Sequence, residues 1–145
     1  MNRSVKQLVA YYKRKIGTSN PFKIADALHI EIIIGDIGSR EGCYMYLKKH
    51  KCIFLNENLD DHERDFVMAH ELGHAVMHPK ENCYFIRNKT LLLNSKTEDE
   101  ANKFAIELLL PDDEFSEYIQ YGYTKEQISR ITGYHEKLID LKMKS

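Results

Sequence analysis

No apolar run in the chain approaches the roughly 20 residues needed to cross a bilayer, with Ile32-Ile33-Ile34 and Leu108-Leu109-Leu110 being typical. The opening segment MNRSVKQLVAYYKRK also lacks an apolar signal core. No membrane partner is expected, and the expected compartment is the cytoplasm. Neither sign of charge dominates: 21 Lys plus Arg stand against 22 Asp plus Glu, which argues against bulk binding to nucleic acid. Cysteine is scarce. Cys43, Cys52 and Cys83 are odd in number and contain no C-x-x-C pair, which excludes a disulfide framework or a cysteine zinc site and leaves free, mostly buried thiols. Low-complexity tracts, repeats and linkers are absent as well.

What is present suits a soluble α+β domain. At 145 residues, 43% hydrophobic and 30% charged, the chain suffices for one packed core, so residues 1–145 are expected to form a single domain. Helical spacing of Val5, Leu8, Val9, Tyr12 and Ile16 before Gly17 predicts a first helix over 3–16. Ser19-Asn20-Pro21 starts a short second helix to about Leu28. The β-branched run 30–37 predicts a strand, and Cys43–Leu47 and Cys52–Leu55 predict two more, joined by a polar turn over Lys48-Lys49-His50-Lys51. From Asp60 or Asp61 to His78 the pattern is helical, with Pro79 as its stop. After residues 80–96, a further helix runs from about Glu98 to Leu110 and ends at Pro111. Gly122 and Gly133 divide residues 112–143 into three short helices. A small N-terminal sheet (within 1–59) should therefore pack on a helical body, with 60–111 at its centre and 112–145 as a C-terminal helical subregion.

The chemistry concentrates in His70-Glu71-Leu72-Gly73-His74. Histidines at i and i+4 lie one turn apart on one helix face and can share a metal ion, while the adjacent glutamate can hold a water without being a ligand. On a helical wheel His70, His74, His78, Val67 and Glu71 fall in one arc, with Met68, Ala69, Leu72, Ala75 and Val76 opposite. Both arcs should be buried, and buried ionisable groups must be satisfied. In TEDEANKFAIELLLP, Glu98 and Asn102 fall inside the apolar arc, whereas Glu100, Lys103 and Glu107 lie opposite. This points to Glu98 as the third metal ligand and to Asn102 as the group that bonds the outer nitrogen of a ligand histidine and fixes its tautomer. Thr97-x-x-Glu100 reads as a capping box; Ser95-x-x-Glu98 fits the same pattern, so Glu98 could instead be a cap. His78 would lie too far along the helix axis to share the ion, and a helix-terminal role beside the last carbonyls fits it better. Gly73 marks either close approach of another backbone or mere tolerance of crowding. His29, His50, His62 and His135 read as surface or cap histidines. Tyr44, Tyr46 and Tyr84 are candidates for stabilising an oxyanion, with packing the commoner role.

The motif A-H-E-L-G-H at 69–74 and the pattern Glu98-x-x-Ala101-Asn102-x-Phe104-Ala105-x-x-Leu108-Leu109-x-Pro111 together resemble the ImmA/IrrE-type metallopeptidases, with Leu110 where that family often has methionine. The resemblance implies a gluzincin-like, zinc-dependent endopeptidase in which His70, His74 and Glu98 hold Zn2+ and Glu71 is the catalytic base. It also implies an edge strand at Cys52–Leu55 that holds extended substrate, and a helix-turn-helix transcriptional repressor of a mobile element or stress regulon as the protein substrate. Two rivals stand beside it. One is a regulatory module that contacts the repressor without cutting it, against which an intact Glu71 argues. The other is a DNA reader built from the C-terminal helices, against which their nearly balanced charge argues. The basic N-terminal segment, with Arg3, Lys6, Lys13, Arg14, Lys15 and Lys23, reads as a solvated face or as a recruiter of an acidic partner segment.

Overall fold

Helix α1 (Val5–Ile16) starts where a reciprocal Ser4/Gln7 capping box satisfies its first donors, and it ends at Gly17, whose φ of 83° is the left-handed cap glycine permits. This computed structural model describes residues 3–81 and 96–144. Helix α2 (Pro21–Ala27) is capped by Asn20, whose side chain accepts from the backbone N–H groups of Phe22 and Lys23. Proline at the first helical position removes a donor that would have gone unpaired anyway.

Strands β1 (Glu31–Gly35), β2 (Gly42–Leu47) and β3 (His50–Asn56) form a sheet in the order β1-β3-β2. β1 runs parallel to β3 and β2 antiparallel to it. The expectation of an edge strand at Cys52–Leu55 is thus corrected: β3 is paired on both sides and cannot accept an added strand, whereas β2 is an edge of the described sheet. The hairpin is also tighter than expected. Leu47 pairs with His50, so only Lys48 and Lys49 turn the chain, at φ of 49° and 67°. Two successive positive φ values make the two-residue turn whose twist matches its strands, and lysine gives no sequence signal for it.

Helix α3 (Asp61–Met77) begins with a capping box between Asp60 and Glu63. Every residue from Val67 to Ala75 is buried, as expected of a helix with apolar and ionisable arcs both turned inward. At its far end Lys51 Nζ donates to the Ala75 carbonyl at 2.8 Å, and the Tyr44 hydroxyl donates to the Pro79 carbonyl, which pins the last turn of α3 to the sheet. Tyr44 is fully buried and committed to that bond, which removes it as an oxyanion donor; Tyr84 lies outside the described residues. Cys43 and Cys52 are buried free thiols, as expected, while Cys83 lies outside the described residues.

Helix α4 (Lys96–Leu109) packs closely on α3 at Gly73. A Cβ on Gly73 would come within 3.1 Å of Phe104 Cβ and 3.3 Å of Ala101 Cα, so a side chain there would need Phe104 to give by a few tenths of an ångström. Helices α5 (Asp112–Gln120), α6 (Lys125–Thr132) and α7 (Glu136–Met143) follow, with boundaries at Gly122 and Gly133. Two apolar clusters result. One joins the sheet to α1–α4 and the other joins the end of α4 to α6 and α7, and Phe66 packs against both.

The second cluster is latched by charge. Lys142 Nζ lies 2.6 Å from Glu107 Oε1 and 2.6 Å from Asp112 Oδ1, with Lys142 and Glu107 almost completely buried. Hydrogen bonds from Lys142 and then Lys6 hold the Asp112 carboxyl at about 2. A buried pair stabilises little relative to apolar residues, but removing one member strands the other in a dry interior. Lys142→Ala should therefore destabilise the fold by about 3–5 kcal/mol in urea denaturation. The double change Lys142→Met with Glu107→Leu should recover most of that loss. Equal stability of Lys142→Ala and the parent would remove the latch.

Candidate active site

Residues one turn apart on α3 and the first turn of α4 converge on a single buried point. His70, His74 and Glu98 are 3%, 0% and 0% exposed. Glu98 places one oxygen on each imidazole: Oε1 is 3.2 Å from His70 Nε2, and Oε2 is 3.0 Å from His74 Nε2. The two rings stand edge to face, with centroids 4.9 Å apart and planes at 78°. One ligand atom from each of the three residues can be chosen so that all lie within 4.8 Å of one another. Four-coordinate zinc, with bonds of roughly 2.0–2.2 Å, sets neighbouring ligand atoms about 3.3 Å apart. The two carboxylate-to-imidazole separations lie near that edge, and two imidazoles with one carboxylate form a donor set suited to a divalent ion.

Burial separates Glu98 from Glu100, as the wheel predicts. Glu98 faces the core, whereas Glu100 is partly exposed and reaches His78, its Oε1 lying 3.0 Å from His78 Nε2. The expected Thr97–Glu100 capping box is corrected on the same ground, because α4 starts at Lys96 and places Thr97 inside the helix. The alternative cap, Ser95, lies outside the described residues.

His78 also departs from expectation. It ends α3 as its C-cap residue, but its ring turns back so that Nδ1 lies 3.1 Å from Nδ1 of His74. The outer nitrogen of His74 therefore meets His78, and the bond expected from Asn102 to a ligand histidine is not made through Asn102 Oδ1, which is buried without a hydrogen-bond partner. Asn102 instead lines the cleft beside the site. Nothing in the heptapeptide from His74 to Lys80 marks His78 as a partner of Glu100, since the two meet only when α4 packs on α3.

Glu71 is 1% exposed and lines a cleft of about 260 Å³ together with His70 and Asn102. One wall is the start of β2. A Cβ on Gly42 would meet Val67 Cγ1 at 2.5 Å and Glu71 Cγ at 3.4 Å, so glycine is what lets this strand lie against the active-site helix. Another part of the lining is the α6–α7 turn, Gly133 to His135, where the Tyr134 ring lies near His62 with centroids 4.8 Å apart. Burial pushes the Tyr134 phenol up from its ordinary value, so it remains a hydrogen-bond donor at neutral pH. His135 caps α7 by accepting from the Lys137 N–H, as a cap histidine should. Gly42 and Tyr134 were not singled out by the sequence reading; a glycine opening a β-branched and aromatic strand was the signal available for the first, and none existed for the second.

Comparison with known proteins places the chain among peptidases. A peptidase family described as the IrrE N-terminal-like domain matches residues 25–143. The chain is 41% identical over 140 residues to uncharacterized immunity region protein 2 of Bacillus phage phi105, covering 96% of this chain and 86% of that one. It is 33% identical over 146 residues to metallopeptidase ImmA of Bacillus subtilis strain 168, covering 98% and 85%.

Ion binding only to the folded state raises stability by about 2.7 kcal/mol when the ion is at 100 times its dissociation constant. Added zinc should therefore raise the melting temperature of the metal-free protein by roughly 5–10 °C. His70→Ala, His74→Ala and Glu98→Ala should each abolish that rise in a thermal scan with and without chelator. A full rise in Glu98→Ala would exclude it as a ligand.

Proposed function

Because the chain belongs to the IrrE N-terminal-like family of metallopeptidases, we propose that it is a zinc-dependent endopeptidase of restricted specificity whose substrate is a helix-turn-helix repressor. The observation that carries this reading is the buried convergence of His70, His74 and Glu98 beside Glu71 at the floor of an open cleft. In this proposal His70 and His74 present nitrogen lone pairs, and Glu98 neutralises charge and completes the donor set. A divalent ion held there would polarise the scissile carbonyl and acidify a water.

The remaining work falls to the chain. Glu71 takes the proton from the attacking water and hands it to the leaving nitrogen, a role for which its buried place beside His70 is suited. The edge strand β2 supports pairing with an extended substrate segment, because its entry at Gly42 lies against Val67 and Glu71. Asn102, one turn beyond Glu98, lines the same cleft and offers a polar group to the bound segment. The proposal treats residues 1–145 as one catalytic unit, since Phe66 joins both apolar clusters and one cleft wall comes from the α6–α7 turn.

Selectivity follows from the size of the cleft. About 260 Å³ admits one or two side chains, and pockets for larger ligands generally exceed that. A substrate must therefore offer an exposed, extended segment, such as a linker between folded parts. The repressor as substrate class is supported by the phage relative, whose name places it in an immunity region. Action in the cytoplasm is part of the same proposal; among the described residues no helix is long and apolar enough to cross a membrane.

Two outcomes test the reading. Glu71→Gln should keep fold and ion binding but lower turnover by at least 100-fold, since the amide matches the carboxylate in size and cannot accept the proton. Undiminished hydrolysis would remove Glu71 from the mechanism. The parent protein should cut a cognate helix-turn-helix repressor at one or a few sites while leaving casein largely intact at equal concentration. Truncation after Gly122 should reduce that cutting, with ion content and circular dichroism measured alongside. Rapid digestion of casein without preference for the repressor would overturn the proposed specificity, and intact repressor bound to an ion-loaded protein would favour the contact-only module.

A further inference from the structure

We infer that His78 and Glu100 form an outer relay that fixes the tautomer of His74 and so positions its Nε2 lone pair toward the ion site. Two Nδ1 atoms face each other at 3.1 Å, which requires a proton on one and a lone pair on the other. The other nitrogen of His78 decides which. Its Nε2 lies 3.0 Å from the Glu100 carboxylate, an acceptor without a proton to give. A neutral His78 thus carries its proton on Nε2 and offers a bare Nδ1 to a proton on Nδ1 of His74. That arrangement leaves a lone pair on His74 Nε2 facing Glu98 Oε2 at 3.0 Å, two acceptors that a shared cation reconciles, so it belongs to the ion-loaded state.

The relay is drawn from two helices of the fold. His74 belongs to α3, His78 ends it, and Glu100 comes from α4. The bonds from Lys51 and Tyr44 to the Ala75 and Pro79 carbonyls hold the last turn of α3, which keeps the His78 ring turned inward at 10% side-chain exposure. Neither His78 nor Glu100 belongs to the convergent trio. They are positioning residues that act through His74, and a carboxylate bonded to the outer nitrogen of a ligand histidine raises its basicity as well as fixing its ring. A helix-terminal histidine bonded only to backbone carbonyls would have neither effect.

This inference rests on the proposed ion site but not on peptide hydrolysis, and the experiment separates the two. In the zinc-loaded full chain at pH 7.5, proton spectra should show the His74 Nδ1–H shifted downfield by its hydrogen bond to His78. In His78→Phe, a ring of similar size that cannot accept, that downfield shift should be lost, and zinc affinity, read by competition with a chromophoric chelator, should fall by roughly 10–100-fold. Glu100→Ala should weaken affinity in the same direction. His78→Gln, whose amide can accept from His74 and donate to Glu100, should restore affinity to within a few-fold of the parent. Unchanged zinc affinity and an unchanged His74 Nδ1–H signal in His78→Phe, with circular dichroism confirming its fold, would overturn the relay. So would a zinc-loaded parent whose His74 Nδ1–H shows no downfield shift. Failure of peptide hydrolysis alongside an intact response of that signal would count against the endopeptidase reading and leave the relay standing.

Discussion

A carboxylate buried between two imidazoles is the constraint on which the rest of this structure depends. Glu98 is completely buried, and an isolated charge in a dry interior is too costly to keep. The chain meets that cost by bringing His70 and His74 to within 3.2 Å and 3.0 Å of its two oxygens. The i, i+4 spacing on α3, the inward face of α4 and the close packing between the two helices all serve this meeting. The sheet contributes by holding the end of α3, and the C-terminal helices by holding the end of α4.

The parts legible in the sequence are those governed by local rules. Helix starts at Ser4, Asn20 and Asp60 follow from side chains that satisfy backbone donors within three residues. Wheel geometry distinguishes Glu98 from Glu100, because facing the core is a property of one helix and can be read from its own pattern. Strand identities were readable for the same reason. The arrangement of the strands was not: that β3 is central depends on pairing between distant segments, and the two-residue turn at Lys48-Lys49 adopts positive φ with residues that do not advertise it.

What escaped the sequence is what requires one element to meet another. His78 and Glu100 are 22 positions apart, and their contact exists only because α4 lies on α3. Asn102 shows the same limit from the other side. Its inward direction was readable, but the group it would meet was not: its Oδ1 has no hydrogen-bond partner, and the outer nitrogen of His74 meets His78 instead. The α6–α7 turn reaches the cleft by a still longer route, through a second apolar cluster joined to the first by Phe66.

The contact between Gly73 and Phe104 acts as a gauge. It sets the distance between two helices whose opposing donors must be aligned to a few tenths of an ångström, and it does so one residue before His74 and six after Glu98. Mutations that fill or loosen this apolar seam would alter the separation of those donors before they altered the global fold. Repacking, which many cores tolerate, is therefore coupled here to the spacing of the donors, and drift in the interior should be slowest where no solvent and no substrate ever reach.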